Sequence, residues 1–172
     1  GYAYADMAVL YRSGFLSRTV EKKLTEGHIP YEIVGGVRFF RRMEVLDMMA
    51  YLRLIATGDD DAFRRIVNVP RRKLGRGRLE LLERLAAEGS RNRTIDAADS
   101  VDDDRSDGLL GALYAGLADP DVGDALRGTG AAEFARVIRA LRHDAPSLRV
   151  SDIVRRVCAE TGYEAYIRSL GD

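Results

Sequence analysis

The sequence predicts a mainly α-helical fold with a short strand–helix–strand piece at its N-terminal end. Two patterns predict it: an apolar run of β-forming residues at positions 7–11, and apolar residues at helical spacing from Met43 onward. The chain has 172 residues, of which 46% are hydrophobic. It is therefore long enough to bury a core as one domain, or as one domain with a fragment of a neighbour.

The β-containing piece covers residues 1–42. Residues 7–11 predict its first strand and residues 31–34 its second. Between them, apolar side chains recur every fourth residue and predict a helix, at Leu16, Val20 and Leu24. Gly27 fits the C-terminal cap of that helix.

The helical body covers residues 43–172. Its first helix carries a predicted buried stripe of six residues: Val45, Met48, Met49, Leu52, Ile55 and Ala56. The same kind of spacing predicts further helices around residues 63–67, 79–86, 134–141 and 153–158. Residues 89–108 are rich in Ser, Asp, Asn and Arg and predict a loop.

Bulk properties exclude several classes of protein. The 27 basic and 27 acidic residues give no net charge, so any nucleic-acid surface must come from local clustering. No apolar run reaches the roughly 18–20 residues that span a bilayer, and the start does not resemble a signal peptide, which predicts a cytoplasmic protein. Cys158 is the single cysteine, and His28 and His143 lie in unrelated contexts. We therefore expect no disulfide, no metal site and no complete catalytic site.

A first polar cluster, Tyr11-Arg12-Ser13, follows the first predicted strand. Polar groups at the carboxyl end of a strand lie where α/β sheets usually bind ligands. The alternative is a surface arginine beside a helix-capping serine.

A second cluster, at residues 35–42, begins with Gly35 and Gly36 and interleaves arginines with Phe39 and Phe40. Cations bind phosphates and aromatic faces stack on bases, so this composition favours single-stranded nucleic acid. The alternative is that the phenylalanines belong to the core and that the arginines are only solvated.

A third cluster lies at residues 70–78 and opens a helix. Seven basic residues and no acidic one lie between Arg64 and Leu79. A glycine-containing turn at a helix N-terminus is an anion site, and exposed basic side chains around it add phosphate affinity that is independent of sequence. We expect Arg71 and Arg72 to be exposed, so that their loss barely changes stability. The alternative is a solvated charge run.

In this order the clusters resemble the UvrD/PcrA/Rep-type superfamily 1 DNA helicases over residues 6–88. The segment AVLYRSGFLSR resembles a motif of the second RecA-like domain, 2A, and IPYEIVGGVRFFRRMEVLD resembles the crossing from 2A into domain 2B. VNVPRRKLGRGRLELL resembles the 2B segment N-x-P-x-R-GIG that grips duplex DNA. The resemblance implies a 2A-like segment at 1–42 and a helical 2B-like domain at 43–172.

The resemblance and the clusters together predict three sets of site residues. The single-strand set is Arg12, Arg38 and Phe39. The duplex set is Arg71, Arg72, Lys73, Leu74, Gly75 and Arg76. The set at the 2A–2B junction is Gly35, Gly36, Arg42, Glu44 and Asp47, which could form an ion-paired hinge. The chain departs from the family pattern at Gly14, Leu16, Leu46 and Lys73, the last of which replaces the first glycine of GIG.

The resemblance implies that the full-length protein is an ATP-driven 3′→5′ DNA helicase that uses ATP and Mg²⁺. No GxxxxGK[ST] phosphate loop occurs in this chain, so we expect it to hold no cofactor and to be inactive alone. Its expected partners are a single-strand/duplex DNA junction and domains 1A, 1B and the remainder of 2A. The alternative is a DNA- or protein-docking module of a helicase-like nuclease subunit or an inactive paralogue.

Overall fold

The computed structural model describes residues 2–12, 14–33, 41–93 and 108–170. Within these ranges the fold is mainly α-helical, as predicted. The helices are α1 (Ser17–Glu26), α2 (Met43–Thr57), α3 (Asp60–Ile66), α4 (Arg76–Arg93), α5 (Gly108–Ala118), α6 (Pro120–Leu126), α7 (Ala131–Asp144), α8 (Val150–Glu160) and α9 (Tyr163–Leu170). The chain divides into two compact units, Gly1–Leu46 and Asp47–Asp172.

The two predicted strands are wrong within the described residues. Residues 7–11 and 31–33 have no strand structure, and Val34 lies outside the described ranges. A strand needs hydrogen bonds from a neighbouring strand, and no described segment supplies them. The apolar side chains of the first run are exposed as a result, with Leu10 at 94%.

The helix predicted in the first unit is present as α1. Gly27 follows it as the predicted C-cap, and its N–H donates to the Lys23 carbonyl at 3.0 Å. The buried residues of α1 are polar, Ser17 and Glu21, whereas Leu16 is exposed.

The buried face of α2 differs from the predicted stripe. Of the six predicted residues only Ile55 is buried, and the face consists of Asp47, Ala50, Tyr51, Leu54 and Ile55. This set keeps the helical spacing but is rotated on the helix. The rotation has a physical cause, because the two polar members have partners inside the fold: Asp47 binds Arg65, and the Tyr51 hydroxyl donates to the Val69 carbonyl at 2.5 Å. Because α2 carries apolar residues on every side, hydrophobicity alone could not predict which face is buried.

The buried face of α7 is as the periodicity predicts. Phe134, Val137, Ile138 and Leu141 are all buried on α7. Phe63 of α3 meets Phe134 edge to face, with ring centroids 6.0 Å apart.

Among the described residues, no helix combines the length and apolar composition needed to cross a membrane.

The predicted loop at 89–108 is wrong at its start, because α4 continues to Arg93. Two polar side chains of this last turn donate hydrogen bonds to carbonyls one turn earlier in the helix. Ser90 Oγ donates to the Ala86 carbonyl at 3.0 Å, and Arg91 Nε donates to the Ala87 carbonyl at 3.3 Å. Residues 94–107 lie outside the described ranges.

Candidate nucleic-acid interface

The segment between α3 and α4 alternates inward and outward side chains. Arg71, Lys73 and Gly75 are exposed, while Arg72 is half-buried and Leu74 is 1% exposed. Among the described residues, neither the Arg71 nor the Lys73 side chain has a hydrogen-bond or ion-pair partner. Two cations are therefore displayed on the outer side of a segment that Arg72 and Leu74 anchor from within.

The expectation that Arg72 is exposed is wrong. Its Nη1 donates to the carbonyls of Ile66 at 3.0 Å, Val67 at 3.1 Å and Pro70 at 3.3 Å. Its Nη2 donates to the Tyr51 hydroxyl at 3.0 Å and to the Thr161 carbonyl at 3.4 Å. The guanidinium also lies 4.6 Å from the centroid of the Phe134 ring. The Arg72 side chain thus binds groups of the protein, and its role as a duplex contact stays a prediction.

Asn68 joins the two ends of the same segment. Its Oδ1 accepts from the backbone N–H of Arg72 at 3.3 Å and of Leu74 at 3.0 Å, and its Nδ2 donates to the Leu74 carbonyl. The Arg72 carbonyl accepts from Gly130 N–H at 2.9 Å. A Cβ on Gly130 would lie only 3.0 Å from the Arg72 Cβ, so a larger residue there would have to displace the Arg72 side chain by a few tenths of an ångström.

Lys73 has a left-handed backbone, with φ of 60°. A side chain there costs about 1–2 kcal/mol relative to the right-handed region. Arg78 helps to hold this conformation, because its Nη1 donates to the Lys73 carbonyl at 3.0 Å. The lysine that replaces the family glycine therefore adds a charge to the turn at the cost of backbone strain.

We expect Lys73→Gly to stabilise the second unit by up to about 1 kcal/mol, because the relief of strain exceeds the entropy that glycine adds to the unfolded chain. Urea unfolding followed by circular dichroism measures the change. Lys73→Ala is the control, since it removes the amine but keeps Cβ and should give no gain. If Lys73→Gly and Lys73→Ala unfold at the same urea midpoint, the backbone of Lys73 is not strained.

The N-terminus of α4 completes the outward surface. In α4 the N–H groups of Arg78 and Leu79 donate to the Gly75 carbonyl at 3.0 and 3.1 Å, so the donors left for a ligand are those of the first two residues, Arg76 and Gly77. Gly75, directly before α4, has no side chain to cap them. A Cβ built on Gly75 or Gly77 would meet nothing within 4 Å, so the fold itself does not need glycine at these positions. Backbone donors at a helix N-terminus, reachable without obstruction, suit an anion such as phosphate.

The other basic residues of the cluster have partners inside the protein. Arg64 pairs with Glu83 at 3.0 Å, and that hydrogen bond is the main reason its pKa is raised. Arg65 Nη2 lies 2.8 Å from the Asp47 carboxylate, and Arg78 Nε donates to the Ala125 carbonyl at 2.8 Å. Arg76 pairs with Glu80 at 2.8 Å, although its side chain is 93% exposed. The run of seven basic residues is therefore partly structural and partly outward-facing.

The predicted junction set is represented in the described residues by Arg42, Glu44 and Asp47. Asp47 is 2% exposed, and it pairs with Arg65 and accepts from the Tyr163 hydroxyl at 2.9 Å. Arg42 is half-buried and Glu44 is exposed. Gly35 and Gly36 lie outside the described ranges, so the hinge stays a prediction.

The predicted single-strand set is only partly described. Arg12 is exposed in the first unit, whereas Arg38 and Phe39 lie outside the described ranges. All three stay predictions.

Sequence reasoning missed the polar residues that hold the duplex set from within. Tyr51 and Tyr163 pack edge to face, with centroids 5.9 Å apart, and their hydroxyls bind Val69 and Asp47. Nothing in the periodicity marks them. Asn68 did have a signal, because it is the asparagine of the N-x-P pattern.

No metal-binding cluster of His, Cys, Asp or Glu occurs within the described residues. Burial raises the pKa of the Cys158 thiol, and Glu164 raises it further. A raised pKa disfavours the reactive thiolate.

Comparison with known proteins identifies the family. The UvrD-like helicase C-terminal domain model matches residues 1–108. The chain belongs to this family. It is similar to ATP-dependent DNA helicase PcrA of Leuconostoc citreum, at 32% identity over 174 residues, which is 99% of this chain and 21% of the relative.

The chain is also similar to ATP-dependent DNA helicase Rep of Salmonella typhimurium, at 44% identity over 115 residues, covering 66% of this chain and 17% of the relative. It spans about a fifth of the length of these relatives. The predicted resemblance to UvrD/PcrA/Rep-type helicases is thereby confirmed.

Proposed function

We propose that this UvrD-like chain is a DNA-binding part of an ATP-dependent 3′→5′ DNA helicase and that it contacts both single-stranded and duplex DNA during unwinding. The duplex contact is supported by the surface that Arg71, Lys73 and the α4 N-terminus form, which we call the outward turn. It combines two cations that lack a partner among the described residues with backbone donors at a helix N-terminus. Such a surface binds phosphates and does not distinguish bases.

The ATP and Mg²⁺ of the full-length protein do not fit the residues of this chain. The sequence has no phosphate loop, and within the described residues no cluster of carboxylates could hold a metal ion. No step of ATP hydrolysis is therefore assigned to it, and domains 1A, 1B and the remainder of 2A are the proposed partners that supply that chemistry.

The exposed apolar run at residues 7–11 supports the same proposal. Met7, Val9 and Leu10 are all more than half exposed. Exposed apolar residues in a row are typical of a surface that packs against another part of a protein. The rest of domain 2A is the proposed cover.

The duplex contact predicts a specific salt dependence. Arg71→Ala/Lys73→Ala should weaken binding to random-sequence duplexes equally for every sequence. It should also flatten the slope of log affinity against log salt by about two, because each lost phosphate contact contributes about 0.9. Fluorescence anisotropy titrations at several salt concentrations measure both quantities.

The matched control is Arg53→Ala/Arg155→Ala, which removes the same charge from exposed positions on α2 and α8. It should leave the slope within about half a unit of wild type, because neither side chain belongs to the outward turn. If the two double variants lose affinity equally, only net charge matters and the outward turn is not the binding surface.

A further inference from the structure

We infer that Asn68 and Arg72 are positioning residues for DNA binding, which act by holding the outward turn in shape and do not bind phosphate themselves. This inference rests on the proposed function. It differs from the sequence-based expectation, in which Arg72 was a direct duplex contact and Asn68 had no role.

The first observation is the bracing of the backbone by Asn68. One amide side chain accepts from the N–H groups of Arg72 and Leu74 and donates to the Leu74 carbonyl. These bonds fix the backbone on both sides of Lys73, which has a left-handed conformation that needs support. The direction of the Lys73 side chain therefore depends on Asn68.

The second observation is the set of hydrogen bonds that the Arg72 guanidinium donates. It donates to three carbonyls of the α3 end and the following turn, and it also reaches the Tyr51 hydroxyl in α2 and the Thr161 carbonyl after α8. Arginine suits this task because its planar fork presents five donors in fixed directions. With Arg72 held inward, its neighbours Arg71 and Lys73 both point outward.

Two variants separate positioning from direct contact. Asn68→Ala removes no charge, and Arg72→Lys keeps the charge but loses the fork. If the two residues position the outward turn, each variant should lower duplex affinity about tenfold, about 1.4 kcal/mol, and should flatten the salt slope. Arg53→Lys, the same exchange at an exposed position, should bind like wild type.

A double-mutant cycle distinguishes positioning of the outward turn from a general loss of stability. In the Arg71→Ala/Lys73→Ala background, Asn68→Ala should cost less than about twofold in affinity, because the side chains that it positions are already gone. All titrations are made at a temperature at which circular dichroism shows each variant folded.

An NMR titration of the wild-type chain with a short duplex provides a second measurement that needs no variant. The amide signals of Lys73, Gly75 and Gly77 should shift, whereas the Arg72 guanidinium signals should stay in place. Shifted guanidinium signals would show direct contact and overturn the inference. It is also overturned if Asn68→Ala and Arg72→Lys bind like wild type while Arg71→Ala/Lys73→Ala binds weakly. If that double variant also binds like wild type, the proposed duplex contact fails.

Discussion

Arg72→Met is expected to destabilise the second unit by about 3 kcal/mol, because it removes a charged donor group that several partly buried acceptors share. Methionine keeps much of the side-chain volume but leaves the carbonyls of Ile66 and Val67 and the Tyr51 hydroxyl without this donor. Hydrogen bonds from charged groups contribute about 1.5–3 kcal/mol each, and partial exposure of Arg72 lets water replace some of them.

The matched control is Arg71→Met, one residue earlier in the chain. Its side chain is exposed and lacks a partner among the described residues, so the change should stay within about 0.5 kcal/mol. Urea unfolding measures both variants. If the two midpoints coincide, the inward bonds of Arg72 do not stabilise the fold.

The different positions of Arg71 and Arg72 show the limit of prediction from the sequence. A run of basic residues predicts positive charge but does not say which side chains turn inward. Leu74 predicts only that one side chain of the segment is buried. Regular alternation of faces needs an extended backbone, and the left-handed backbone of Lys73, with φ of 60°, interrupts it. The sequence therefore does not tell which arginine shares the buried side with Leu74.

The helices were predictable where a single apolar face is present, as in α7. For α2 the helix was predicted but its buried face was not, since apolar residues lie on every side of this helix and distant polar partners decide which face is buried. Tyr163, which binds Asp47, is 116 residues away in the chain. The strand predicted at residues 7–11 was wrong for another reason. Its local pattern suits a strand, but no described segment pairs with it.

Asp47→Ala is expected to destabilise the second unit by about 2–4 kcal/mol. Removing one member of a buried ion pair leaves its partner uncompensated, which costs about 3–5 kcal/mol when both are buried. Here Arg65 is 39% exposed, so water recovers part of that loss. The Tyr163 hydroxyl is buried and loses its acceptor, which costs about 1–3 kcal/mol more where no water enters.

Glu44→Ala is the control, since it removes an exposed carboxylate from the same helix and should change the free energy of unfolding by less than about 0.5 kcal/mol. Tyr163→Phe isolates the hydroxyl and should cost about 1 kcal/mol. Because the two groups share one bond, Asp47→Ala/Tyr163→Phe should be more stable than the sum of the single effects predicts, by at least about 0.5 kcal/mol. Urea midpoints give all four values. Additive losses, or an Asp47→Ala midpoint equal to that of Glu44→Ala, would show that Asp47 does not link α2 to α3 and α9.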